Sequence, residues 1–329
     1  MQKIRYLTII ITIVLFWFVT VEAQQMPLYS DYIMNGFVIN PAVAGSDGFT
    51  TLGLAARDHM LGFDNSPKTN VLSFQTRLLH QNYKIHKSNF FGSKSVSKRS
   101  GRVGIGAQIY TDKNGYMERT GGQFTYAYHL NMETSQLSFG LALTTFQFHI
   151  ALDKLRFRDT SEPITNTDQR FSNQVLAPDI SAGTYLLTPN SFLGFSIANL
   201  FQSRINIGSE SYDYRLYRHY FLMGGKRFNA ESEFAFEPSF LLKGTEKMIF
   251  QADVQMRAYY MQDYYLGLLY RTGSAAGFLL GAKWNRIHFC YSFDYSLNTI
   301  GKYSLGAHEL NIVIKFGDNA RRYRWLIRY

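Results

Sequence analysis

Met248-Ile-Phe-Gln-Ala-Asp-Val-Gln-Met-Arg-Ala-Tyr259 decides the fold. Its even positions are Met248, Phe250, Ala252, Val254, Met256 and Ala258. Its odd positions include Gln251, Asp253, Gln255 and Arg257. One face is apolar throughout; the other carries an acid, a base and two amides. A period of two over this length is a β-strand with a greasy face and a wet face. A helix would scatter Asp253, Arg257 and the amides around its circumference. The fold then turns on what the apolar face touches, a second protein layer or lipid.

Composition points the same way. The 329 residues hold 27 Phe, 23 Tyr and 26 Gly but only 7 Pro, and aromatic residues reach 16%. Aromatics with Gly favour strands joined by tight turns. The formal net charge is +10. No aromatic-interleaved RNA motif or basic helix accompanies it, so nucleic acid is not an expected partner. The single cysteine, Cys290, excludes an internal disulfide. It falls in an alternating run, which makes it a small strand residue.

At the N-terminus, Lys3 and Arg5 precede a largely apolar run from Tyr6 to Val21. Val21 and Ala23 stand at the small-residue positions of a signal-peptidase site. Residues 1–23 therefore read as a signal peptide, with cleavage between Ala23 and Gln24. No later apolar run is long enough for a membrane helix. Residues 24–48, with Pro27, Asn35, Asn40 and Pro41, read as a short irregular or briefly helical lead-in and a possible plug.

From residue 49 to 316 alternating segments recur. They are Phe49–Arg57, Val71–Leu79, Arg102–Asp112, Thr120–Leu130, Leu137–Phe148, Pro178–Leu187 and Phe192–Asn199, then Tyr217–Phe228, Phe234–Lys243, Met248–Tyr259, Tyr264–Arg271, Ala276–Trp284, Ile287–Tyr295 and Gly306–Phe316. About fourteen strands, an even number of bilayer-crossing length, predict an all-β fold, a transmembrane antiparallel β-barrel in the outer membrane. A soluble sandwich would average shorter strands and fewer wholly greasy faces. Tight turns such as Lys113-Asn114-Gly115 join some strands. Long polar connections, His80–Gly101, His149–Ala177 and Phe201–Arg215, join others. With both barrel ends of the chain periplasmic, the last two face outward. Residues 317–329 form a basic tail. Tyr259, Tyr260, Tyr264, Tyr265, Tyr295 and Tyr303 cluster near strand ends, as interfacial girdles do.

The polar faces mix signs. Glu233, Glu237 and Lys243 share one, Asp253 and Arg257 another, Glu309 and Lys315 a third. Charges of both signs facing a lumen can pair across it, which predicts a crowded or plugged interior. No catalytic, cofactor or metal site emerges. His308 and Glu309 are neighbours on a strand and point to opposite faces. Asp112-Lys113-Asn114-Gly115 lacks the later ligands of a calcium loop. Gly104-Ile-Gly106 lacks the third glycine and the helix of a dinucleotide site.

The chain resembles the PorP/SprF family of type IX secretion outer-membrane proteins. The clearest stretch is Gln25-Met-Pro-Leu-Tyr29-Ser30 with Asn35, then Asn40-Pro41-Ala42 and Ala44-Gly45. Arg57, Gly62 and Pro67 fit a following Arg…Gly…Pro-x-Thr pattern. Phe293-Asp294-Tyr295 and Gly306-x-His308-Glu309 fit two later ones. The chain departs from the family at Val43 and at His59-Met60. The resemblance implies a non-enzymatic barrel that supports export or surface anchoring of proteins with C-terminal sorting domains, gliding adhesins among them, in a Bacteroidota bacterium. It implies contacts with such cargo, with periplasmic ring components and with outer-membrane lipid. The residues it marks are structural or partner-contacting. Read without it, the barrel could equally be a channel for small or apolar solutes.

Overall fold

The computed structural model describes residues 29–63, 65–80, 100–150, 175–207 and 212–317. The proposed signal peptide with Ala23 and Gln24, most of the loop after His80, most of the His149–Ala177 connection and the basic tail lie outside them. Among the described residues sixteen strands form. β1 (Thr50–Asp58), β2 (Lys68–His80), β3 (Ser100–Asn114), β4 (Met117–Asn131), β5 (Gln136–Ile150), β6 (Val175–Leu187) and β7 (Ser191–Ala198) make the first half. β8 (Arg204–Ile207) and β9 (Tyr212–Arg215) follow. β10 (His219–Lys226), β11 (Phe234–Thr245), β12 (Phe250–Tyr260), β13 (Tyr264–Arg271), β14 (Ala275–Trp284), β15 (Ile287–Ser296) and β16 (Ala307–Phe316) complete the set.

Fourteen of these close one antiparallel barrel. Each strand pairs with its sequence neighbour, β7 with β10, and the seam joins β1 to β16 from Thr50↔Phe316 to Asp58↔His308. Closure matters physically, because an open edge would leave unpaired amides in hydrocarbon. β8 and β9 pair only with each other. The Phe201–Arg215 connection expected as a loop thus carries a small hairpin; four-residue strands are too short for their alternation to stand out.

β12 shows why the sheet faces as it does. Phe250 is 78% exposed, Val254 52% and Met256 47%, whereas Asp253, Gln255 and Arg257 are buried. The greasy residues are outside and the ionised ones inside, the reverse of a water-soluble protein. Leu266, Leu268 and Tyr270 on β13 and Phe124 and Tyr126 on β4 continue the apolar outer surface. Two expectations need correcting. Tyr260, Tyr264, Tyr295 and Tyr303 are exposed, but Tyr259 is buried and Tyr265 points inward to Asp31, because neighbours on a strand alternate. Met248 and Ile249 belong to the turn before β12, where Met248 takes a positive φ of 59° and Thr245 N–H donates to the Ile249 carbonyl.

The barrel has two unlike ends. One, here the loop end, carries the β1–β2 connection and residues 297–306. The other, the turn end, carries 132–135, 188–190 and 261–263. The lead-in runs between them through the bore. Ser30 lies against Arg57 and Glu309 near the loop end, and the segment reaches Thr50 at the turn end.

Candidate functional site: a plug locked into the lumen

Residues 29–48 are a plug. It is compact because its own side chains cap its own backbone. Asp31 Oδ1 accepts from Met34 N–H at 2.9 Å, and one helical turn, α1 (Gly36–Ile39), follows. Asn40 then accepts from Ala42 N–H at 2.9 Å through Oδ1 and starts a 3₁₀ turn, Pro41–Val43, with the proline at its first position. The Asn40 amide also donates to the Thr184 carbonyl of β6 at 2.9 Å. Ile39 O accepts from Ser196 Oγ at 2.8 Å, Ala44 O lies 3.1 Å from His129 Nε2, and Gly45 N–H donates to Gln75 Oε1 at 3.0 Å. Plug backbone groups that would lack water inside the barrel are therefore bonded to its wall.

The wall is carved to receive this turn. A Cβ at Gly104, Gly140 or Gly183 would collide with Ala44 O, with the Pro41–Ala42 backbone or with the Asn40 side chain. Gly45 itself sits at φ +67°, a conformation that L side chains rarely adopt. We expect Gly140→Val to unseat the plug while leaving β5 paired. Protease cleavage inside residues 36–48 of the purified barrel measures this, and an unchanged cleavage rate would contradict it.

Near the loop end the plug meets a dense ionic network. Arg57 of β1 donates to Asp294 Oδ2 and to Glu309 Oε2, each at 2.8 Å. Arg271 of β13 bridges Asp294 at 3.3 Å and Asp253 at 3.2 Å, and Lys243 reaches Asp253 at 2.7 Å. Arg257 pairs with Asp31, whose other oxygen accepts from Tyr265 Oη at 3.0 Å. Ser30 joins in through its N–H to Glu309 Oε2 at 2.7 Å and its hydroxyl to Asp294. The network holds four cations, Arg57, Lys243, Arg257 and Arg271, and four carboxylates, Asp31, Asp253, Asp294 and Glu309. The wall alone has three of those carboxylates; the plug's Asp31 supplies the fourth. Buried charges are tolerable only when paired and hydrogen-bonded, so the wall's excess cation holds the plug electrostatically.

A hydrogen-bond relay caps the network. Arg57 Nε donates to His59 Nδ1 at 3.3 Å, His59 Nε2 lies 3.1 Å from Thr69 Oγ1, and Thr69 donates to Asp112 Oδ1 at 2.8 Å. The relay requires a neutral His59 with its proton on Nε2. Burial first, and the Arg57 charge next, push His59 down to about 3. Unfolded, it binds a proton near its ordinary 6.5. Its contribution is therefore complete above pH 6.5 and fades as pH falls toward 3. His59→Gln should flatten the stability loss of the barrel between pH 7 and 4, read by urea unfolding in detergent; an unaltered slope would refute the assignment.

The residues that sequence singled out sit as follows. Tyr29 packs on Ala55 and Val71. Ser30, Asn35, Arg57 and Glu309 meet in the ionic network, with Asn35 donating to Asn311 Oδ1 at 2.9 Å. Asn40, Pro41 and Gly45 form the turn seated on the wall glycines. Gly62 (φ +100°) and Pro67 lie outside the network, in the β1–β2 connection, where Pro67 O accepts from His59 N–H. His308 points outward to Tyr291 Oη at 2.7 Å, away from Glu309. Glu233, grouped by sequence with the inward charges, is exposed at the turn end, and Glu237 pairs with Arg227 at 2.8 Å instead. Arg271 and Asp31 join the site without being marked by sequence: Arg271 ends a segment that is otherwise apolar or aromatic, and Asp31 lies within the Tyr29–Asn35 stretch that carries the family resemblance.

Cys290 is buried beside the plug, and among the described residues no group of acidic, His or Cys side chains is arranged to hold a metal ion. No helix among them is long and apolar enough to cross a membrane.

Several solved barrels are similar to this chain. A monoaromatic hydrocarbon channel, CymD, aligns over 89% of this chain and 94% of its own at 10% identity and a TM-score of 0.45. The toluene transporter TbuX of Ralstonia pickettii aligns over 85% and 92% at 12% identity and 0.44. Outer membrane phospholipase A from Escherichia coli aligns over 85% and 99% at 6% identity and 0.37. At such identities the likeness concerns the barrel alone. No curated protein matches the sequence. A family model described as type IX secretion system membrane protein PorP/SprF matches residues 21–314. The chain therefore belongs to the PorP/SprF family of type IX secretion system membrane proteins, a closed β-barrel of the outer membrane.

Proposed function

We propose that this barrel is a non-enzymatic docking component of type IX secretion, supporting the export or surface anchoring of proteins with C-terminal sorting domains. The supporting observation is the plug. A bore crossed by residues 29–48, bonded to both halves of the wall and charge-matched at Asp31, suits a rigid platform better than an open conduit. Cargo and periplasmic ring components would then meet the barrel at its two ends and its outer surface. Gliding adhesins are the cargo class we favour.

Deleting the gene and comparing surface proteomes tests the reading. Loss of one or a few large surface proteins, with uptake of small solutes intact, is expected. Intact surface proteins with an uptake defect would reject it in favour of solute transport. Affinity purification from outer membrane in mild detergent should co-elute the cargo or ring component. The competing transport reading has one observation behind it, a cavity above the plug.

A further inference from the structure

The plug divides the lumen unequally. Toward the turn end lies a wide vestibule of about 680 Å³, lined in part by Arg227, Glu231, Asp263 and Lys283. Toward the loop end lies a smaller cavity of about 110 Å³ floored by Tyr29, Val38, Ile39 and Pro41 of the plug. The two differ in chemistry as much as in size. Acidic residues line the vestibule, whereas no Asp or Glu lines the small cavity among the described residues.

Three buried polar atoms on the small cavity's lining residues have no hydrogen-bond partner among the described residues: Gln108 Oε1, Arg119 Nε and Thr245 Oγ1. Gln108 is 5% exposed, and its amide nitrogen is committed to Gln123 Oε1 at 3.1 Å, which leaves the oxygen as the unused atom. Arg119 is held by aromatic faces, its guanidinium 5.5 Å from the Tyr110 ring centre and 5.6 Å from that of Phe146. Its nearest carboxylate, Asp112, is 3.5 Å away, at the limit of a hydrogen bond. The ammonium of Lys243, tied to Asp253 at 2.7 Å, lines the same cavity. Buried polar atoms without protein partners are rare in folded proteins, and three on one cavity give it a polar lining that water or a ligand can satisfy.

We propose that this loop-end cavity binds a carboxylate carried on an apolar body of about one ring, either a free small acid or the end of a peptide chain. The stacked guanidinium of Arg119 supplies the donor to the carboxylate, and the Thr245 hydroxyl, on the wall of β11, adds a second polar group to the lining. The plug floor and Phe146 take the apolar body. Gln108 Oε1 accepts a hydrogen from an N–H or O–H beside it. At about 110 Å³ the enclosed space is below the roughly 150 Å³ that holds benzene, so the carboxylate seats inside and the ring projects partly toward the loop end. The absence of acid from the lining favours an anion over an amine. This site does not rest on the docking role, because it is argued from the lining of the loop-end cavity alone.

The test is calorimetric titration of the full-length barrel in mild detergent. The probes are benzoate, N-acetylphenylalanine and the uncharged N-acetylphenylalaninamide. Both acids should bind, and the amide at least about tenfold more weakly, the loss expected when one charge-assisted hydrogen bond goes. Arg119→Gln should weaken the acids by a similar factor and the amide by less, while Thr144→Phe, which fills the cavity, should abolish all binding. Heat-modifiable migration on gels confirms that each variant is a folded barrel. Tighter binding of N-acetylphenylalanine supports a chain end as the natural ligand; tighter binding of benzoate supports a free acid. No binding of any probe up to about 10 mM overturns the proposal, since weaker association would be negligible in solution. So does binding that neither variant changes.

Discussion

Replacing Arg57 by Ala should destabilise the barrel by about 3–5 kcal/mol, the usual cost of stripping one partner from a buried ion pair. Arg57 is the hub at which Asp294, Glu309, Ser30 and His59 converge. Its guanidinium spans the seam, since it projects from β1 while Glu309 belongs to β16 and Asp294 to β15. Without it, Arg271 remains near Asp294, but Glu309 keeps only neutral donors, the Ser30, Asp31, Asn35 and Asn311 N–H groups. Arg57→Lys should fall between the two, retaining charge but losing the planar fork that grips two carboxylates at once. Combining Arg57→Ala with Glu309→Gln should recover part of the loss, because the uncompensated carboxylate disappears. Urea unfolding in detergent measures the series. A loss for Arg57→Ala below about 1 kcal/mol, the range of an exposed pair, would show that the network is solvated and not structural.

Removing residues 29–48 should convert a closed barrel into a conducting one. In planar bilayers the intact protein is expected to show no sustained open level, and the shortened protein a large, steady, ohmic conductance. The argument is steric and electrostatic together. The segment fills the space over Gly104, Gly140 and Gly183, and it withdraws Asp31 from Arg257 when it leaves. The emptied wall holds four cations against three carboxylates in the network, so the new pore should favour anions modestly. Asp31→Ala keeps the segment and deletes only its charge; brief, flickering openings are expected there. A silent barrel after deletion, still heat-modifiable on gels, would mean that another part of the chain closes the bore. A large steady conductance from the intact protein would mean that the segment does not occlude.

Much of this was legible before any coordinates, for definite reasons. Alternation is local, so Phe250, Val254 and Met256 announce a lipid face without knowledge of their neighbours. An even count of long alternating segments implies closure once hydrocarbon is the solvent. The mixed signs at Asp253 and Arg257 announced a crowded lumen, and the lead-in with its Asn40-Pro41 step fills it. What stayed hidden is what depends on pairing across sequence. Arg57 meets Glu309, 252 positions away, only because β1 and β16 close the ring, and no local pattern encodes that partnership. Tyr259 and Tyr265 fall outside the girdle because nearness to a strand end does not set which face a residue occupies. The β8–β9 hairpin escaped because four residues carry too little periodicity to separate from coil.

The clasp between the start of the chain and its final strand constrains biogenesis. Ser30 and Asp31 grip Glu309, so the lead-in and the strand that closes the ring are ligands of one another. An insertion machine that stitches hairpins into the bilayer one after another must keep the threaded leader in place until β16 arrives. Sealing the ring first would shut the leader out, with Glu309 and Asp294 stranded on an empty inner wall. Completion of the cylinder and seating of its stopper are thus expected to be coupled, since each supplies partners the other lacks.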